Sequence, residues 1–121
     1  MKKRRVVVTG MGVISPIGIG IDEFWTGLAE GRNGIDYITK FDTSKFDTQF
    51  GAEVKNFDPL KYLDKKTVKR LDPFAQYALV SSIFALEDSG LDLELVNKDR
   101  FGVVFGSGIG GIQTLRLQHF A

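Results

Sequence analysis

Cysteine is absent from the 121 residues, and histidine occurs once. Without a thiol these residues hold no disulfide, no thiolate metal site and no cysteine nucleophile. A single histidine excludes a multi-histidine metal cluster or a catalytic histidine pair drawn from this chain alone. Charge of one sign is also lacking. Sixteen basic residues against fifteen acidic ones leave a formal charge of +1, so there is no bulk electrostatic case for nucleic acid. No apolar run is long enough for a bilayer. Residues 6–21 are uncharged, but they carry Gly10, Gly12, Gly18, Gly20 and Pro16, which suit turns better than a membrane helix. The basic residues 2–5 ahead of them look like the start of a secretory signal. No small-residue cleavage pattern follows, because Asp22-Glu23 opens an acidic, helix-starting segment; a cytoplasmic location is expected.

What is present describes an ordinary globular composition, 43% hydrophobic and 26% charged, far more apolar than a disordered chain. Residues 5–9 form a β-branched run without polar alternation, as in a strand buried on both faces, and it ends in the turn Gly10-Met11-Gly12. Ile21, Phe24, Trp25 and Leu28 then recur at the spacing of one helix face, with Asp22 as an N-cap and Gly31 as a C′ stop. Residues 32–60 are less regular. Asn33-Gly34 is a turn signal, 51–54 a short strand, and 62–68 a short basic helix.

The strongest periodicity is a stripe of Leu71, Phe74, Ala75, Ala78, Leu79, Ser82, Ile83 and Leu86, opened by Asp72-Pro73 and closed by Gly90. Residues 100–105 give a second buried-strand pattern, followed by the glycine turn Gly106-Ser107-Gly108-Ile109-Gly110-Gly111 and a helix over 112–120. The order strand, helix, irregular, helix, strand, glycine turn, helix is an α/β pattern with an incomplete mixed sheet. Both buried-strand candidates need neighbours that the chain barely supplies. The last helix is still running at Ala121, so the chain reads as part of a longer one.

Several motifs compete for the chemistry. The hexapeptide 106–111 fits G-x-G-x-x-G between a strand and a helix, where backbone amides can hold a pyrophosphate. The acidic residue due about 20 positions later has no place, because the chain ends first. The opposing reading is a tight turn packed on neighbouring backbone. Residues 9–18 fail as a short-chain dehydrogenase fingerprint, since Ile14 stands where glycine is needed. They fail as a phosphate-binding Walker loop because Ile19 follows Gly18. His119 has no partner that the sequence can name, and the aromatics suit a core. Lys61, Lys65, Lys66, Lys69 and Arg70 put five cations into ten residues. That is either a solvated face or a contact for an acidic partner.

Read together, four segments resemble one family. Residues 6–18, Phe24-Trp25 in the first helix, Arg70-Leu71-Asp72 with Phe74, Gln76, Tyr77 and Ala78, and Arg100-Phe101-Gly102-Val103 with the 106–111 turn follow the N-terminal part of the β-ketoacyl-[acyl carrier protein] synthases. The type II elongating members are the nearest pattern, and Pro73 departs from it by standing where a helix-compatible residue is usual. The resemblance implies a thiolase-like fold of two similar α/β halves in a homodimer, with residues 1–121 as the N-terminal part of the first half. It implies a decarboxylating Claisen condensation of acyl and malonyl groups carried by acyl carrier protein, in fatty acid biosynthesis, with no metal or organic redox cofactor, no nucleic acid and no membrane. The family's cysteine and two histidines fall beyond Ala121, so no catalytic residue is assigned here and the chain alone is expected to be inactive. Gly108 and Ile109 match positions lining the acyl pocket. Two other readings stand beside this one: a non-catalytic homologue that sets chain length in a partner, and a dinucleotide-binding domain using 106–111.

Overall fold

A computed structural model describes residues 3–119. Met1, Lys2 of the basic N-terminal group, Phe120 at the end of the last predicted helix, and Ala121 lie outside the described residues. The chain divides into two units: Val13–Asp58, and the residues on either side of it.

Within Val13–Asp58, β1 (Ile14–Ser15) and β2 (Gly18–Ile19) pair antiparallel across Pro16 and Ile17. The Ser15 hydroxyl donates to the Gly18 carbonyl at 3.0 Å and accepts from the Ile17 amide at 3.3 Å, holding the turn. Helix α1 (Ile21–Ala29) follows at once. Its N-cap is Gly20, at φ 86°, rather than the expected Asp22, because the hairpin runs straight into the helix and needs a left-handed corner there. Glu23, in the first turn, accepts from the Ile19 amide at 2.8 Å. The C-terminus is as expected. Gly31 donates to Leu28 and Arg32 to Gly27, at 3.1 and 2.8 Å, the paired bonds of a Schellman ending. Strands β3 (Ile35–Tyr37) and β4 (Phe50–Ala52) make a second antiparallel ladder. The strand expected at 51–54 is thus shifted by one or two residues, and it pairs with residues 35–37. Glu53 closes the intervening loop by accepting from the Thr39 hydroxyl at 2.8 Å and from the Thr39 and Lys40 amides at 3.2 Å.

In the other unit, Pro59–Lys61 makes one tight turn before α2 (Lys65–Arg70). The expected basic helix starts three residues late because Asp64 is its N-cap, accepting from the Lys66 and Thr67 amides at 2.9 and 3.0 Å. Helix α3 (Pro73–Ser89) has the expected Asp72 N-cap, Pro73 in the first turn and a left-handed Gly90. The Gln76 side-chain amide ties the end of α2 to α3 through the carbonyls of Val68 and Leu71, at 3.0 and 2.8 Å. Val80 is the apolar side chain that is fully buried among the described residues. It lies off the predicted stripe, since α3 is apolar nearly all round and its periodicity does not single out one inner face. Helix α4 (Ile112–His119) begins where expected.

The two buried strands do not form. Residues 5–9 and 100–105 belong to no ladder among the described residues; Val6, Val8 and Val104 are 91%, 79% and 97% exposed. In place of a mixed sheet there are two short antiparallel ladders. A run without polar alternation needs a neighbour on each side, and the described residues offer neither run one.

Candidate functional site

The first candidate surface is built on α3. Residues 10–12 cross it so closely that a Cβ on Gly12 would overlap the Ser81 carbonyl and stand 2.7 Å from the Ala85 amide. Only a residue without a side chain permits that approach. The Asp88 carboxylate then accepts from the Met11 amide at 2.8 Å, fixing the crossing. Beside it lies a cleft of about 430 Å³, walled by Thr9, Gly10 and Gly12, by Ser81, Ser82, Ala85, Leu86 and Ser89 of α3, and by residues 101–105. Its lining is mostly apolar, and both unpaired runs border it.

The glycine turn is the second. Gly108 has no atom within 4 Å of where a Cβ would stand, and Ile109 is 78% exposed. Neither lines the cleft. At its helix-side end the turn is held. The Asp72 carboxylate accepts from the Thr114 hydroxyl and lies against Gly111, while the Phe74 ring sits 3.4 Å from a Cβ on Gly110. A carboxylate therefore already occupies the start of α4, the seat a pyrophosphate would need. Like charges there repel, so the geometry opposes the dinucleotide reading. Asp72 was legible as a helix start, but its reach to a residue 42 positions later leaves no local signature.

The third is the cationic surface of α2. Lys61, Lys65, Lys66, Lys69 and Arg70 are all exposed. Lys69 and Arg70 suit the negative end of the helix, whereas Lys65 and Lys66 sit at its positive end. Lys65 with Lys69, and Lys66 with Arg70, are like-charged at i,i+4. Lys65 and Lys66 therefore do not serve the helix. His119 is exposed in the last turn of α4. Among the described residues no group of three or more His, Cys, Asp or Glu gathers as metal ligands, and no helix is long and apolar enough to cross a membrane.

The class follows from known proteins. Residues 3–120 match the N-terminal domain of the β-ketoacyl synthases, and the chain belongs to that family. The solved ishigamide ketosynthase/chain length factor superposes with a TM-score of 0.77 at 34% identity, over 97% of this chain and 30% of that one. The α/β arrangement is thus that of a ketosynthase, a thiolase-like protein.

More particularly, the 3-oxoacyl-[acyl-carrier-protein] synthase 2 of Coxiella burnetii is 49% identical over 112 residues, covering 93% of this chain and 27% of the relative. That of a Synechocystis species is 48% identical over 118 residues, covering 98% and 28%. The chain spans less than a third of the length of these relatives. Family membership replaces the dinucleotide reading of 106–111.

Proposed function

We propose that these residues are the N-terminal part of a 3-oxoacyl-[acyl-carrier-protein] synthase 2, which lengthens acyl chains in fatty acid biosynthesis by decarboxylative condensation with malonyl-[acyl carrier protein]. The observation that carries this is the near-complete alignment with relatives of that name at 48–49% identity. In the whole enzyme a cysteine outside these residues would take the acyl group as a thioester, and loss of carbon dioxide from the malonyl group would supply the attacking carbanion. A helix N-terminus favours the thiolate, and two histidines would stabilise the developing oxyanions. The contribution of this part is scaffold and pocket wall. The runs 5–9 and 100–105 would enter the mixed sheet of the first α/β half, and Gly108 and Ile109 would line the acyl pocket. No cofactor, a homodimer and a cytoplasmic location complete the reading.

The carrier protein is the partner that the α2 cations suit. Charge on an interface rim acts mainly on encounter rate and its salt dependence. In the full-length gene product, Lys65→Glu with Lys69→Glu is expected to raise the KM for acyl carrier protein about tenfold with kcat retained, and to flatten the salt dependence. An unchanged KM would remove α2 from the docking surface. Reading the gene past Ala121 tests the activity itself: a cysteine and two later histidines are required. A second reading, a subunit that sets chain length without catalysis, is favoured by the likeness to a protein described as a ketosynthase/chain length factor. Labelled acyl carrier protein decides between them, because only the enzyme acquires a labelled cysteine.

A further inference from the structure

We propose that Asp72 is a positioning residue for acyl-chain selection: through Thr114 and Gly111 it fixes the 106–111 turn, and with it the side chain of Ile109. The proposal rests on the reading of Ile109 as pocket wall.

Asp72 and Asp64 occupy the same position, the N-cap, of successive helices, and they behave differently. The Asp64 carboxylate accepts from amides of its own helix. The Asp72 carboxylate makes no such bond, although its main-chain carbonyl, like that of Asp64, accepts from its helix, here from the Ala75 and Gln76 amides at 2.9 and 3.0 Å. The side chain is left for α4, where it accepts from the Thr114 hydroxyl and stands with Cγ 2.8 Å from a Cβ on Gly111. A negative charge there also suits the positive end of α4.

Pro73 makes sense in this light. A residue before proline is confined to the extended region, and Asp72 lies there at φ −65°, ψ 157°. The proline thus locks the backbone from which the carboxylate reaches. The turn it holds has four glycines in six residues, and nothing lies within 4 Å of a Cβ on Gly106 or Gly108. Such a segment has wide conformational freedom. Asp72 and Phe74 grip it at Gly110, Gly111 and Thr114, directly after Ile109.

The test is the ratio of kcat/KM for long over short acyl carrier proteins in the full-length gene product. Asp72→Ala is expected to shift this ratio about fivefold, the scale of one net hydrogen bond. Thr114→Val should shift it in the same direction. Asp72→Asn, which still offers an oxygen to Thr114, should restore it to within about twofold of the parent. In an Ile109→Ala background, Asp72→Ala should add nothing, because the effect passes through Ile109. Equal loss for all acyl lengths, a shift of the same size without Ile109, or an unchanged ratio in folded Thr114→Val would each overturn the proposal. Should Asp72→Ala fail to fold, Thr114→Val carries the test. An unaltered ratio in Ile109→Ala alone would sink the pocket-wall reading, and the proposal with it.

Discussion

The segment Val13–Asp58 and the residues flanking it organise themselves by opposite means. In the segment, partners are close in sequence: β1 meets β2 across two residues, and Glu53 reaches back to Thr39 and Lys40. Hydrogen bonds of short loops define it, and such loops close at little entropic cost. The flanking residues rely on distant contacts. Residues 10–12 lie on α3 some seventy positions later, with Asp88 accepting from Met11, and Asp72 reaches Thr114. Their two most apolar runs gain no ladder at all. Short-range structure completes itself within the chain. Long-range sheet structure needs neighbours that the described residues do not contain.

The largest effect to seek is on the chain expressed alone. Burying one valine contributes about 2 kcal/mol, and Val80 is the only apolar side chain fully buried among the described residues. The isolated chain is expected to melt without a cooperative transition and to bind a hydrophobic dye, while the full-length gene product unfolds cooperatively. Slow amide exchange across 100–105 in a dilute monomer, with a sharp thermal transition, would erase the contrast between the two regions.

A smaller effect compares one glycine from each. Gly12→Val in the full-length product drives a side chain into the backbone of a long helix, and a loss of about 3 kcal/mol is expected. Gly27→Ala places a Cβ 2.8 Å from the Ile17 carbonyl. That carbonyl belongs to a two-residue turn, which yields more readily, so a loss of about 1 kcal/mol is expected. Denaturant midpoints read both, and equal losses would show that the turn is as rigid as the helix.

The same division governs how much the sequence disclosed. Helices α1 and α3 were legible because periodicity and the Gly31 and Gly90 stops are local signals. The β1–β2 hairpin was not: a strand of two residues carries no alternation. The runs 5–9 and 100–105 read as buried strands from composition, yet pairing depends on neighbours, which composition does not contain. The stripe on α3 missed Val80 because an apolar residue on every side removes the contrast that periodicity detects. At the candidate site, Gly108 and Ile109 entered through the family pattern, and the cations of α2 through their density. Asp72 was visible only as a cap, since no rule of spacing links it to Thr114.

The smallest expected effect is acid sensitivity, which falls mainly on Val13–Asp58. There the Lys55 ammonium, with the Tyr37 amide, holds the Asp36 carboxyl below the usual range. The Ser44 amide does the same for Asp42, and the Thr39 hydroxyl for Glu53. In the flanking unit Asp64 is lowered by the Thr67 hydroxyl and amide. A carboxyl whose folded pKa is depressed contributes stability above its unfolded pKa and loses it as pH falls through the folded one. These contributions are therefore present at neutral pH and fade below about pH 4. Asp36, Asp42 and Asp64 are exposed and Glu53 is half-buried at the surface, so each effect is modest and screened by salt. Amide chemical shifts of Tyr37, Thr39, Lys40 and Ser44 should move together as the loop loosens in acid, with Lys66 and Thr67 following the Asp64 cap separately. A single transition shared by the 37–44 amides and those of Lys66 and Thr67 would mean that the two regions respond as one.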